Sequence, residues 1–145
     1  MDILKIKTPK RKLGSFGEKI ARRYLRRHGY RIKAKNFVAD DHEIDLIAED
    51  KSTLVFVEVK TRTVGHESPN EPRPASSVDA KKQRGIIMAA RAYTAYNPVP
   101  KKKRFDIIEV YVNEKNGKYI AAEVKHLTNT FNINTAYSYA ERYKK

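Results

Sequence analysis

Asp45 is followed, with twelve residues between, by Glu58-Val59-Lys60. Two carboxylates and an amine at that spacing suit one kind of chemistry well. If both segments are strands joined by the Glu49-Asp50-Lys51-Ser52 turn, side-chain alternation puts Asp45, Glu58 and Lys60 on one side of a sheet. A turn centred on Asp50-Lys51 sets Asp45 opposite Phe56 and diagonal to Glu58, and a slip of one residue would send Asp45 to the other face. Burying such a set uncompensated is costly. A divalent cation removes that cost: Mg²⁺ or Mn²⁺ takes one or two carboxylates, a carbonyl such as that of Val59, and several waters. It would polarise a phosphate and acidify water, while Lys60 orients the nucleophile and stabilises the developing charge. The competing use of the same residues is an ion pair at the end of a sheet.

The elements needed to position this set can be read along the chain. Phe16, Ile20, Ala21, Tyr24 and Leu25 recur at helical spacing. Ser15 with Glu18 reads as a capping box, and Gly29 as the C-terminal stop. Arg22, Arg23, Arg26 and Arg27 cover the opposite side of this helix and are candidate phosphate contacts. Strands are expected over 30–38 (alternating Tyr30, Ile32 and Ala34), 43–48 and 53–62. The third is apolar on both faces at its start and so reads as central. A loop with Gly65, Pro69, Pro72 and Pro74 leads to a helix from about Ser77 to Tyr96, capped by Ser76 or Ser77. Strands follow over 104–112 and 118–124, joined by Asn116-Gly117. The expected order is αβββαββ: an α/β domain over 13–127, after a flexible basic arm (1–12) and before a tail (128–145) ending in a short helix.

Composition narrows the function. The 145 residues carry 31 Lys plus Arg against 17 Asp plus Glu, a net charge of +14, which draws the chain to polyanions. The charge is uneven: residues 36–60 hold 2 positive and 7 negative charges, residues 1–35 hold 13 and 2. An acidic island in a basic protein suits carboxylates that hold a cation while basic regions hold nucleic acid. With no cysteine, a disulfide scaffold, a thiolate zinc site and a cysteine nucleophile are excluded. No apolar run reaches the ~20 residues of a membrane helix, and the N-terminus lacks the apolar region of a secretory signal, so a cytoplasmic protein without a membrane partner is expected.

Asp45…Glu58-Val59-Lys60 resembles the PD-(D/E)xK nuclease signature. More closely, Gly14-Ser15-Phe16-Gly17-Glu18, Asn36-Phe37, Glu43-Ile44-Asp45-Leu46-Ile47, Phe56-Val57-Glu58-Val59-Lys60-Thr61-Arg62, Lys82-Gln83-Arg84 and Arg104-Phe105-Asp106 resemble the YraN-like family of uncharacterised bacterial proteins. Two departures stand out: Ile44 replaces the proline of the broader signature, and His42 the glycine usual in this family. The resemblance implies a restriction-endonuclease-like fold, with a central mixed five-stranded sheet flanked by helices, akin to archaeal Holliday-junction resolvases. It implies that Glu18 joins Asp45 and Glu58 in holding metal, that Lys60 is catalytic, and that Lys82 is the site lysine of the second helix.

The expected function is therefore a Mg²⁺- or Mn²⁺-dependent nuclease on DNA, at branched or single-stranded structures, with a homodimer plausible by analogy. Arg22, Arg23, Arg26, Arg62 and Lys82 are the first candidates for substrate contacts. The rival readings are a non-catalytic nucleic-acid-binding protein and an assembly factor docking through its basic surface.

Overall fold

The protein, a computed structural model described over residues 9–64 and 78–133, is a five-stranded sheet with one helix on each face. The order is α1 (Pro9–Arg27), β1 (Arg31–Ala39), β2 (His42–Glu49), β3 (Thr53–Thr63), α2 (Ala80–Tyr96), β4 (Lys102–Lys115) and β5 (Lys118–Phe131). The strands lie side by side in chain order, with β3 and β4 parallel and every other pair antiparallel. The expected mixed α/β sheet is thus present, and β3 is its central, buried strand.

Alternation along the strands splits the apolar residues into two cores. Ala21 and Leu25 of α1 pack on Leu46, Val55, Val57, Ile108 and Val110. Ile86, Ala89, Ala90 and Tyr93 of α2 pack on Ile44, Ile47, Leu54, Phe56 and Ile107. The stripe expected on the first helix is the face that α1 buries. It comes close to the sheet at Gly17, where a Cβ would collide with the Thr61 side chain.

Several boundaries differ from the sequence reading. Helix α1 begins at Pro9, inside the expected arm, so Ser15 lies within the helix rather than at its cap. Proline suits a first helical turn, because its fixed φ is already helical and its missing N–H would have no partner there. Gly29 does end the α1 region, at φ 87°. Helix α2 is capped by Asp79, whose Oδ1 accepts the Lys82 N–H at 2.8 Å, and not by Ser76 or Ser77. Strands β4 and β5 each run 14 residues, longer than expected. Tyr30, Ile32 and Ala34 do not share a face: the register shifts between Ile32 and Ala34, sending Ile32 to the α1 core and Ala34 to the α2 core. Most of the 63–75 loop and the expected C-terminal helix lie outside the described residues.

Candidate active site

The turn between β2 and β3 is made by Asp50, whose carboxylate accepts the N–H groups of Ser52 and Thr53 while its own N–H bonds to the Thr53 carbonyl. This closes the hairpin around Lys51-Ser52, one residue later than the sequence suggested. The strands therefore pair as Glu49↔Leu54, Ala48↔Val55, Ile47↔Phe56 and Leu46↔Val57. Phe56 faces Ile47, not Asp45. The register moves by two residues, which preserves the faces and continues towards Asp45 opposite Glu58. Just beyond the last pair, Asp45 Oδ2 accepts the Val59 N–H at 2.8 Å.

Asp45, Glu58 and Lys82 line one cavity of about 210 Å³, together with Glu43, His42 and Ile86. It opens where the N-terminal end of α2 meets the sheet. Lys82 reaches down to Glu58 Oε1 at 2.5 Å, and Lys60 Nζ lies 3.5 Å from the same oxygen. Glu58 is only 6% exposed. Gly85 permits the fit of α2 over this end of the sheet, since a Cβ there would fall 2.5 Å from His42 Nδ1.

The electrostatics follow from that crowding. Burial, then the neighbouring Glu58 charge, push the Asp45 carboxyl up to about 8, against the Val59 N–H that pulls it down. Burial lowers the Lys60 ammonium, with Glu58 opposing the shift and Lys82 adding to it. Burial also works to lower Lys82, but the hydrogen bond and charge of Glu58 outweigh it and the net shift is upward. Glu18 on α1 is raised by burial and by the charges of Glu43 and Glu58, so it feels the same negative centre. It lines a neighbouring cavity, however, beside Arg22, Lys19 and Lys35.

Asp45, Glu58, Lys60 and Lys82 are thus brought together, and Glu18 is coupled to them by charge. The other candidates disperse. Arg22 stands beside Glu18, Arg23 is exposed on α1, Arg26 lines a different cavity, and Arg62 continues β3 beside Tyr111 of β4. Glu43, which the sequence reads as a partner for a nearby Arg or Lys rather than a metal ligand, and Lys35, which it does not single out, also belong to these cavities. The 7-carboxylate island at 36–60 was the signal that could have drawn in Glu43.

Two other carboxylates draw many partners. Asp106, fully buried, accepts Arg104 at both oxygens, the Asn129 N–H, and His126 Nε2 at 2.7 Å. Asp106 thus ties an arginine, a histidine and a backbone amide together inside the fold. Glu49 holds Arg31 at 2.6 Å, Lys101 at 3.1 Å and Lys33 at 3.6 Å.

Among the described residues, no three His, Asp or Glu side chains form a ready-made metal cage. A cation at the cavity would rely on two carboxylates with backbone carbonyl and water, which is how Mg²⁺ is commonly held. The residues fit that role: Asp45 and Glu58 are two acceptor groups on adjacent strands, and a cation would offset both the burial and the Glu58 charge that raise Asp45.

Among the described residues no helix is long and apolar enough to cross a membrane. Residues 17–110 match the model of Uncharacterised protein family UPF0102. A UPF0102 protein of Caldanaerobacter subterraneus subsp. tengcongensis is 46% identical over 126 residues, covering 86% of this chain and 98% of that relative. A UPF0102 protein of Chlorobium phaeobacteroides is 40% identical over 121 residues (82% and 93%), and one of Geobacter metallireducens 39% over 122 residues (83% and 93%). The matched span contains Glu18, Asp45, Glu58, Lys60 and Lys82, so the cavity lies wholly within it. The YraN-like resemblance is therefore borne out at the level of the family, and the chain belongs to UPF0102.

Proposed function

We propose that this protein is a Mg²⁺- or Mn²⁺-dependent nuclease acting on DNA, with a restriction-endonuclease-like fold of the PD-(D/E)xK type. One observation carries the reading: two carboxylates from adjacent antiparallel strands line one cavity with Lys82 of the facing helix, and a second ammonium, that of Lys60, lies 3.5 Å from Glu58. A carboxyl raised to about 8 by burial and by a second carboxylate, in a cleft, is the pattern of a functional group.

Asp45 and Glu58 would hold the cation, with Glu18 supporting from α1. When bound, that cation supplies polarisation of the scissile phosphate and acidification of water. Asp45 is oriented by the Val59 N–H, which leaves its other oxygen available. Lys60, half-buried beside Glu58, would position the attacking water and face the charge that builds on phosphorus. Lys82 offers its ammonium to a non-bridging phosphate oxygen. In the hydrolysis a phosphorus–oxygen bond to water forms as the bond to the leaving oxygen breaks. Water gives up one proton, and the leaving oxygen takes one.

The test is a calorimetric titration of Mn²⁺ and Mg²⁺ into the wild type and Asp45→Ala, in parallel with cleavage assays on single-stranded, duplex and four-way-junction DNA. Metal binding and cleavage, both lost in the variant, are expected. DNA binding with no metal uptake would overturn the catalytic assignment and leave a nuclease-like nucleic-acid-binding module.

A further inference from the structure

The end of the sheet away from the carboxylate pair holds a second cavity, of about 400 Å³, between the C-terminal end of α1, the start of β1, the β2–β3 turn and the segment entering β4. From Asp45, four strand residues lead to Glu49 at its base, a distance of ~13 Å along β2. Arg26, Arg31, Lys51 and Lys101 line it, and among the described residues its carboxylates are Glu49 and Asp50.

Both of those carboxylates have structural work. Asp50 is occupied by the turn, accepting from the Ser52 and Thr53 N–H groups. Glu49, 6% exposed, splits its oxygens between Arg31 and Lys33 on one side and Lys101 on the other. Lys101 is held further by the Asp50 carbonyl at 2.8 Å. Glu49 thus gathers three cations with a single negative charge. With Arg26 and Lys51 the cluster has five positive charges against two negative, a net of +3 in and around one concavity. The guanidinium of Arg31 keeps most of its surface open, its side chain being 76% exposed. Tyr30 forms the aromatic wall, its hydroxyl held by Arg104 at 2.8 Å. The last carbonyls of α1 are capped by the N–H groups of His28, Gly29 and Tyr30, which blunts the negative end of the helix here.

We propose that this cavity is a phosphate-binding site, separate from the carboxylate cavity and built on Glu49 as a buried scaffold. A pre-assembled fan of guanidinium and ammonium groups beside an aromatic wall matches a tetrahedral oxyanion carried on a nucleoside. Its occupant is a phosphate of a nucleic-acid strand, either a chain-end monoester or a backbone phosphodiester. Glu49 is a positioning residue: it sets the spacing of Arg31 and Lys101 without touching the ligand. The site needs no metal, so it stands or falls independently of the nuclease reading.

The test uses the full chain in EDTA, where any cleavage is silent. Fluorescence anisotropy follows a 3′-labelled single-stranded DNA oligonucleotide carrying a 5′-phosphate or a 5′-hydroxyl. Arg26→Ala/Lys51→Ala removes two exposed cations that do not touch Glu49. The control Lys115→Ala/Lys118→Ala removes two at the β4–β5 turn. The cavity variant should lose at least about fivefold more affinity than the control, and its salt slope should fall by about 2. A preference for the 5′-phosphate identifies the chain end as occupant, and equal loss with both oligonucleotides identifies the backbone. Titration of inorganic phosphate into ¹⁵N-labelled protein should move the amides of Tyr30, Arg31, Lys51 and Lys101 together. Equal losses in the cavity and control variants would overturn the proposal, as would phosphate-induced shifts with no clustering at the cavity.

Discussion

Two acids of β2, the half-buried Asp45 and the buried Glu49, have opposite fates. At one end Asp45 meets a second carboxylate and a single backbone N–H, and its proton is held up to about 8. At the other, Glu49 meets three cations and is pulled down to about 2, first by the hydrogen bond from Arg31 and then by that from Lys101. Asp106 belongs with Glu49: burial raises it, but His126, Arg104 and the Asn129 N–H outweigh that and lower it overall. Burial is the largest push on Asp45, with Glu58 adding to it, whereas at Glu49 the hydrogen bonds from Arg31 and Lys101 outweigh burial. Glu49 and Asp106 are surrounded by donors, whereas Asp45 takes one backbone N–H and the two ammonium groups of its cavity end go to Glu58.

That contrast can be broken from its strong side first. Asp106→Ala would leave Arg104 and His126 without their shared acceptor in a buried place, and should cost about 3–5 kcal/mol in urea unfolding. A loss under about 1 kcal/mol would show that the network is not what holds β4 and β5 at that point. Glu49→Gln should cost less, about 1–3 kcal/mol, because its cations reach solvent, and the loss should shrink in high salt. Acid gives the same group a second test. The folded Glu49 carboxyl is depressed, so its stabilisation is complete above about pH 5 and is lost as pH falls from there through about 2. Urea midpoints of the wild type should therefore fall across that window more steeply than those of Glu49→Gln. The smallest effect should lie at the candidate site and have the opposite sign. Asp45→Asn keeps an oxygen for the Val59 N–H and removes the repulsion with Glu58, so it should stabilise the fold by about 1 kcal/mol in thermal denaturation while abolishing Mn²⁺ uptake. If Asp45→Asn instead lowered the melting temperature, Asp45 would be one more structural acid, and the comparison would collapse.

Some of this was legible from residues alone, and the reasons are local. The α1 stripe was readable because Phe16, Ile20 and Leu25 obey a 3.6-residue period that any amphipathic helix must have. The centrality of β3 followed from apolar residues on both faces. The convergence of Asp45 with Glu58 and Lys60 was anticipated from parity, and it survived an error of two in register because parity is unchanged by an even shift. The start of α1 was missed because the capping-box pattern at Ser15 competes with a proline that also favours a first turn. The register shift between Ile32 and Ala34 could not be seen, since a bulge breaks the very alternation used to read a strand.

Element order, the two apolar faces and the acids and bases available to them are local properties of the chain, because periodicity and turn chemistry act over a few residues. The surroundings of those acids come from the fold. Glu49 meets Lys101 across 52 positions and Asp106 meets His126 across 20, while Glu58 meets Lys82 only because α2 lies over the end of β3. A charge in a low-dielectric place takes its character from whatever the fold sets within a few ångströms of it, and chain spacing does not encode that distance.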